Sequence, residues 1–92
     1  PSVRRKGVFV GIDVYKDRLD LFVNTNGEVL EVDNTESGHR EIVERLRALG
    51  PALVVMEATG GLEVPLAGAL ASIGIAVFVV NPRQARYFAR DK

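Results

Sequence analysis

Residues 8–14 (V-F-V-G-I-D-V) are almost continuously apolar, a pattern that predicts a strand buried on both faces. A polar turn, Tyr15-Lys16-Asp17-Arg18, separates it from Leu19-Asp20-Leu21-Phe22-Val23, which reads as a second strand with Asp20 alternating out of the apolar set. Asn26-Gly27 is a turn signal, and residues 28–33 place Leu30 and Val32 on one face of a third strand, so the chain opens with an antiparallel meander. Ile42, Val43, Leu46 and Leu49 then recur at helical spacing opposite Arg40, Glu41, Glu44, Arg45 and Arg47, and Gly50-Pro51 stops that helix. A short apolar run over residues 52–56 suits a buried parallel strand. Leu66, Ala69, Leu70 and Ile73 mark a second helix, with Pro65 in its first turn and Gly74 at its end. Residues 75–80 form a fifth strand, and Asn81-Pro82 starts a third helix.

The predicted order is β-β-β-α-β-α-β-α, an α/β fold. Crossovers through helices make the fourth and fifth strands parallel to the first, and right-handed connections extend the sheet away from the meander. A five-stranded mixed sheet of order 3-2-1-4-5 follows. Its first and fourth strands are neighbours, so Asp13 and Glu57 leave their carboxyl ends side by side, at the crevice where open α/β sheets take ligands.

Composition narrows the picture only in part. With 92 residues the chain is one domain, near the lower size limit for a mixed sheet. No apolar run approaches the roughly 20 residues that span a bilayer. There is no cysteine, so disulfides and thiolate metal sites are excluded; with a basic start, P-S-V-R-R-K, in place of a secretory leader, a cytoplasmic setting is expected. The formal net charge is zero, but basic residues gather at the two ends and acids in the middle. Arg83, Arg86 and Arg90 fall on one helical stripe that suits a nucleic-acid backbone, and equally suits a solvated face.

The chemistry lies with the two carboxylates. Acids at the ends of apolar strands are costly unless a cation or donors compensate, and two adjacent carboxylates repel unless a hard cation such as Mg²⁺ or Mn²⁺ sits between them. Structural capping is the alternative for either acid alone; the pair favours metal. Ala58-Thr59-Gly60-Gly61 allows close backbone approach and opens a helix, so a phosphate is expected near Thr59, although any strand-to-helix turn has this composition. Lys16 is a further candidate phosphate contact, and His39 is assigned no catalytic work.

Three blocks, G-I-D-V-Y-K-D-R-L-D, M-E-A-T-G-G and V-F-V-V-N-P-R-Q-A-R-Y-F-A-R, in this order and spacing, resemble the N-terminal part of the DEDD-type insertion-sequence transposases, the group that includes the Piv-type DNA invertases. The resemblance runs from about residue 8 to residue 90. It implies a ribonuclease H-like fold of the Holliday-junction resolvase (RuvC-like) kind and an Asp-Glu-Asp-Asp tetrad that binds divalent metal. Its first two members fall on Asp13 and Glu57. The last two lie beyond the N-P block in the family, and Asp91 does not match their surroundings, so the chain is expected to be a C-terminally truncated fragment of a prokaryotic, nucleoid-associated recombinase. The resemblance also implies DNA as partner, a downstream transposase domain with a serine nucleophile, and in some members a guide RNA. The isolated fragment is expected to bind Mg²⁺ weakly, to leave DNA uncut and to self-associate through exposed apolar surface.

Two other classes compete. Actin, sugar-kinase and Hsp70-type phosphotransferases also end their first strand in G-I-D, but their phosphate turn wants glycine followed by Thr or Ser where this chain has Tyr15-Lys16. A non-catalytic interaction module would make both acids structural.

Overall fold

The computed structural model describes residues 5–81, with the backbone alone at Arg5. The predicted third helix, with Arg83, Arg86 and Arg90, lies outside the described residues. Strands β1 (Arg5–Val14), β2 (Arg18–Val23) and β3 (Val29–Asp33) form the meander; α1 (Glu36–Leu49), β4 (Pro51–Glu57), α2 (Val64–Ser72) and β5 (Val77–Val80) follow. The sheet has the order β3-β2-β1-β4-β5, with β1 antiparallel to β2 and parallel to β4. Order and direction are as the crossover rules require.

Side chains alternate across a strand, and among the described residues α1 and α2 both pack on one side of the sheet. Val10, Ile12 and Val14 of β1, Leu19, Leu21 and Val23 of β2, and Val54 and Met56 of β4 join Ile42 and Leu46 of α1 and Leu66 and Leu70 of α2 in one buried cluster. Each such side chain contributes about 1.5–3 kcal/mol when fully withdrawn from water. The opposite face carries Phe9, Phe22, Val29 and Phe78, between 43% and 67% exposed. The continuous apolar run predicts burial of the first strand on both faces, and among the described residues this is corrected to one, because α1 and α2 share a side.

Element boundaries shift where contacts distant in sequence decide them. β1 starts at Arg5 rather than at residue 8, with an irregular register between Arg5 and Phe9. Asn24 bridges that irregularity: its Nδ2 donates to the Gly7 carbonyl at 2.9 Å and its Oδ1 accepts from the Phe9 amide at 2.7 Å. β5 begins at Val77 instead of residue 75, since the Ile75 amide turns back to the Leu70 carbonyl at 3.1 Å and completes the end of α2.

The start of α1 is tightly specified. Thr35 caps it by accepting the Gly38 amide at its Oγ1, 3.1 Å away. Gly38 sits against the end of β3, where an added Cβ would lie 1.8 Å from the Asp33 carbonyl oxygen. Only glycine fits that approach. At the other end Gly50 donates its amide to the Leu46 carbonyl, and Pro51 begins β4. No helix of the described residues is long and apolar enough to cross a membrane.

Candidate metal and nucleic-acid site

β1 and β4 run in parallel register, with Ile12 opposite Met56. One residue further along that register, Asp13 and Glu57 stand on neighbouring strands about 4.8 Å apart, both on the face away from α1 and α2. β2 places Asp20 opposite Asp13, and β3 places Glu31 opposite Asp20. Four acids therefore line one row across the sheet. Both Asp13 and Glu57 are exposed. Desolvation is thus not a large cost for either acid in this structure.

The outer half of the row has its own cation. Arg18 Nε lies 3.4 Å from Asp20 and 3.8 Å from Glu31, and its guanidinium stacks over the Tyr15 ring at 4.3 Å. The hydrogen bond and charge of Asp20 raise the Arg18 pKa above its already high ordinary value. Asp20 thus pairs with Arg18 through a long contact to Oδ2, while its Oδ1 is buried with no hydrogen-bond partner among the described residues. Asp13 and Glu57 have no such partner among the described residues, and no group of three or more His, Cys, Asp or Glu is arranged there to hold a metal ion. The two free carboxylates fit a hard divalent ion as a partial ligand set.

The turn after Asp13 is closed by the Tyr15 amide donating to the Arg18 carbonyl at 2.9 Å. It is held from behind by a network that sequence reading missed. Asn34 Nδ2 donates to the Tyr15 carbonyl at 2.7 Å, and Asn34 Oδ1 lies 2.7 Å from His39 Nε2. Because the Asn34 amide nitrogen is fixed by Tyr15, its oxygen must accept, and His39 donates from Nε2. His39 thus braces the turn from the first turn of α1. Lys16 is exposed in that turn, three residues past Asp13, and no acid pairs with it among the described residues.

Thr59 is arranged differently from the phosphate cradle its loop suggests. Its amide donates to Glu63 Oε1 at 2.8 Å and its hydroxyl to the same oxygen at 3.2 Å. Gly60 and Gly61, at φ 67° and 99°, fold the chain back so that these donors meet Glu63. The anion in the loop is the protein's own carboxylate. The Thr59 amide, chiefly, holds the Glu63 carboxyl below the ordinary carboxylate range, against the opposing effect of burial. Nothing in the composition of residues 58–61 distinguishes an internal anion from an external one; the signal was a lone acid four residues on, immediately ahead of an apolar helix.

The family model of the IS110-type DEDD transposases, described as transposase, matches residues 10–92. The chain belongs to the IS110-type DEDD transposase family. Among solved structures, this transposase-family chain is similar to the fowlpox virus resolvase crystallised with its Holliday junction DNA substrate. The TM-score is 0.60 at 18% identity, over 82% of this chain and 60% of the resolvase chain. That likeness establishes the ribonuclease H-like fold, and the chain spans 60% of the length of that resolvase. Among curated proteins nothing matches.

Proposed function

We propose that this transposase-family chain is the N-terminal part of the catalytic domain of a DNA transposase or site-specific recombinase, with Asp13 and Glu57 as two of the four carboxylates that hold divalent metal for DNA strand cleavage and transfer. The observation that carries this reading is the parallel register of β1 and β4, which sets two unpaired carboxylates side by side at the strand ends. Mg²⁺ or Mn²⁺ bound there would polarise a phosphoryl oxygen and stabilise the leaving oxygen. The chain's own residues act around that ion. Asp13 and Glu57 would ligate it, Arg18 offsets part of the charge of Asp20 and Glu31 beside it, and Lys16 is the candidate contact to a backbone phosphate. Arg83, Arg86 and Arg90, outside the described residues, are further candidate contacts to a nucleic-acid backbone from their spacing in the sequence alone. Thr59 is a weaker candidate for phosphate than its loop suggests, since both its donors serve Glu63.

DNA is the proposed partner. A guide RNA, a downstream domain carrying the remaining ligands, self-association and a nucleoid-associated cytoplasmic location belong to the same reading. The experiment is a cleavage assay on four-way junction and linear DNA with Mg²⁺ or Mn²⁺, using the 92-residue chain and the longer protein that carries the downstream residues. The longer protein is expected to cut and its Asp13→Asn and Glu57→Gln variants to be inactive, while the 92-residue chain leaves DNA intact. Undiminished cutting by Asp13→Asn would overturn the proposal.

A further inference from the structure

We propose that Glu63 is a positioning residue for the Glu57 carboxylate: from a buried position it holds the loop that leaves β4 in a single shape by accepting both polar hydrogens of Thr59. Among the described residues Glu63 is the buried charged side chain, 8% exposed. Such a group is retained in a small core only when its hydrogen bonds compensate for lost water, and here both bonds run to one residue.

The direction of those bonds is the informative part. Glu63 occupies the N-cap position of α2, where a short polar side chain ordinarily accepts from the second or third amide of the helix ahead. It makes no such bond. Its carboxylate points backward and ties the strand exit, so the first amides of α2 go without a side-chain acceptor in favour of a fixed loop. On the other side of the same exit, the Ala58 amide donates to the Val80 carbonyl of β5 at 2.7 Å. Glu57 is thus followed at once by a residue pinned to β5 and then by one pinned to Glu63. The loop closes on itself through the Leu62 amide to the Thr59 carbonyl at 3.3 Å and the Val64 amide to the Gly61 carbonyl at 3.2 Å.

An exposed carboxylate on the last residue of a strand has little packing of its own to aim it. Two rigid anchors directly behind it supply what packing does not, in the way outer partners orient metal ligands. This inference rests on the reading that Asp13 and Glu57 hold a divalent ion.

The test measures Mn²⁺ affinity of the 92-residue chain by electron paramagnetic resonance, beside its melting temperature. Glu63→Ala is expected to weaken Mn²⁺ binding by about tenfold or more, and Glu63→Gln, which keeps an acceptor oxygen, to recover most of it. A Glu63→Ala variant that melts earlier yet binds Mn²⁺ as tightly as the unmodified chain would overturn the inference, since Glu63 would then serve stability alone. Should Glu63→Ala not fold, Glu63→Met keeps the side-chain volume but offers no acceptor for either Thr59 donor, and unchanged Mn²⁺ affinity there would overturn it equally. Failure of the underlying reading has a separate signature: Mn²⁺ binding by the unmodified chain that is indifferent to Asp13→Asn, which would overturn both.

Discussion

Gly38→Ala is expected to destabilise the chain by about 2–4 kcal/mol. The new Cβ would lie 1.8 Å from the Asp33 carbonyl oxygen, and the atom it meets is backbone, which no side-chain rotation can move aside. The first turn of α1 must therefore retreat from the end of β3. That retreat stretches the bond from the Gly38 amide to Thr35 Oγ1, a cap worth about 1 kcal/mol, in addition to the overpacking itself. It also withdraws His39 from Asn34 and loosens the turn after Asp13. Gly68→Ala is the control of opposite sign: nothing lies within 4 Å of its Cβ, and alanine in a helix is favoured by up to about 1 kcal/mol. Thermal and urea melts of the two variants check both signs. Equal stabilities would mean that α1 does not approach β3 as described.

The second large effect reverses sign with metal. Without divalent ions, Asp13→Asn is expected to raise stability by up to about 1 kcal/mol, because it removes a carboxylate that directly opposes Asp20 and neighbours Glu57. With Mn²⁺ at 100 times its dissociation constant the unmodified chain should gain about 2.7 kcal/mol and the variant nothing. Glu57→Gln should lose the metal-dependent gain as completely. Glu44→Gln, an exposed acid on α1, should leave it intact. Melting curves at several Mn²⁺ concentrations give the comparison. A gain that survives Asp13→Asn would place the ion elsewhere.

Much of this arrangement is legible in the sequence. Strand order followed from helix crossovers and the meander, and once β1 and β4 were neighbours Asp13 and Glu57 had to be too. The legible features are those governed by local pattern and by chain connection. The features that escaped depend on contacts between segments. Residues 5–7 join β1 through the pairing of Arg5 with Pro51 and through Asn24, 17 positions beyond Gly7, whose side-chain bonds bridge the irregular ladder. His39 became a brace only when α1 docked beside the Tyr15 turn. The role of Glu63 is not visible in the sequence, because whether a cap bonds forward or backward depends on where the strand exit lies. The apolar run of β1 predicts burial on both faces, whereas α1 and α2 cover one.

Asp13 and Glu57 as joint ligands of one ion is the central claim, and it is tested most directly by adding Mn²⁺ in substoichiometric amounts to the isotope-labelled 92-residue chain and following its amide resonances. Broadening is expected first at Asp13, Val14, Glu57 and Ala58, and is expected to vanish from that region in Asp13→Asn. Broadening centred instead on the acids of residues 28–44, with the signals of Asp13 and Glu57 still sharp, would contradict it.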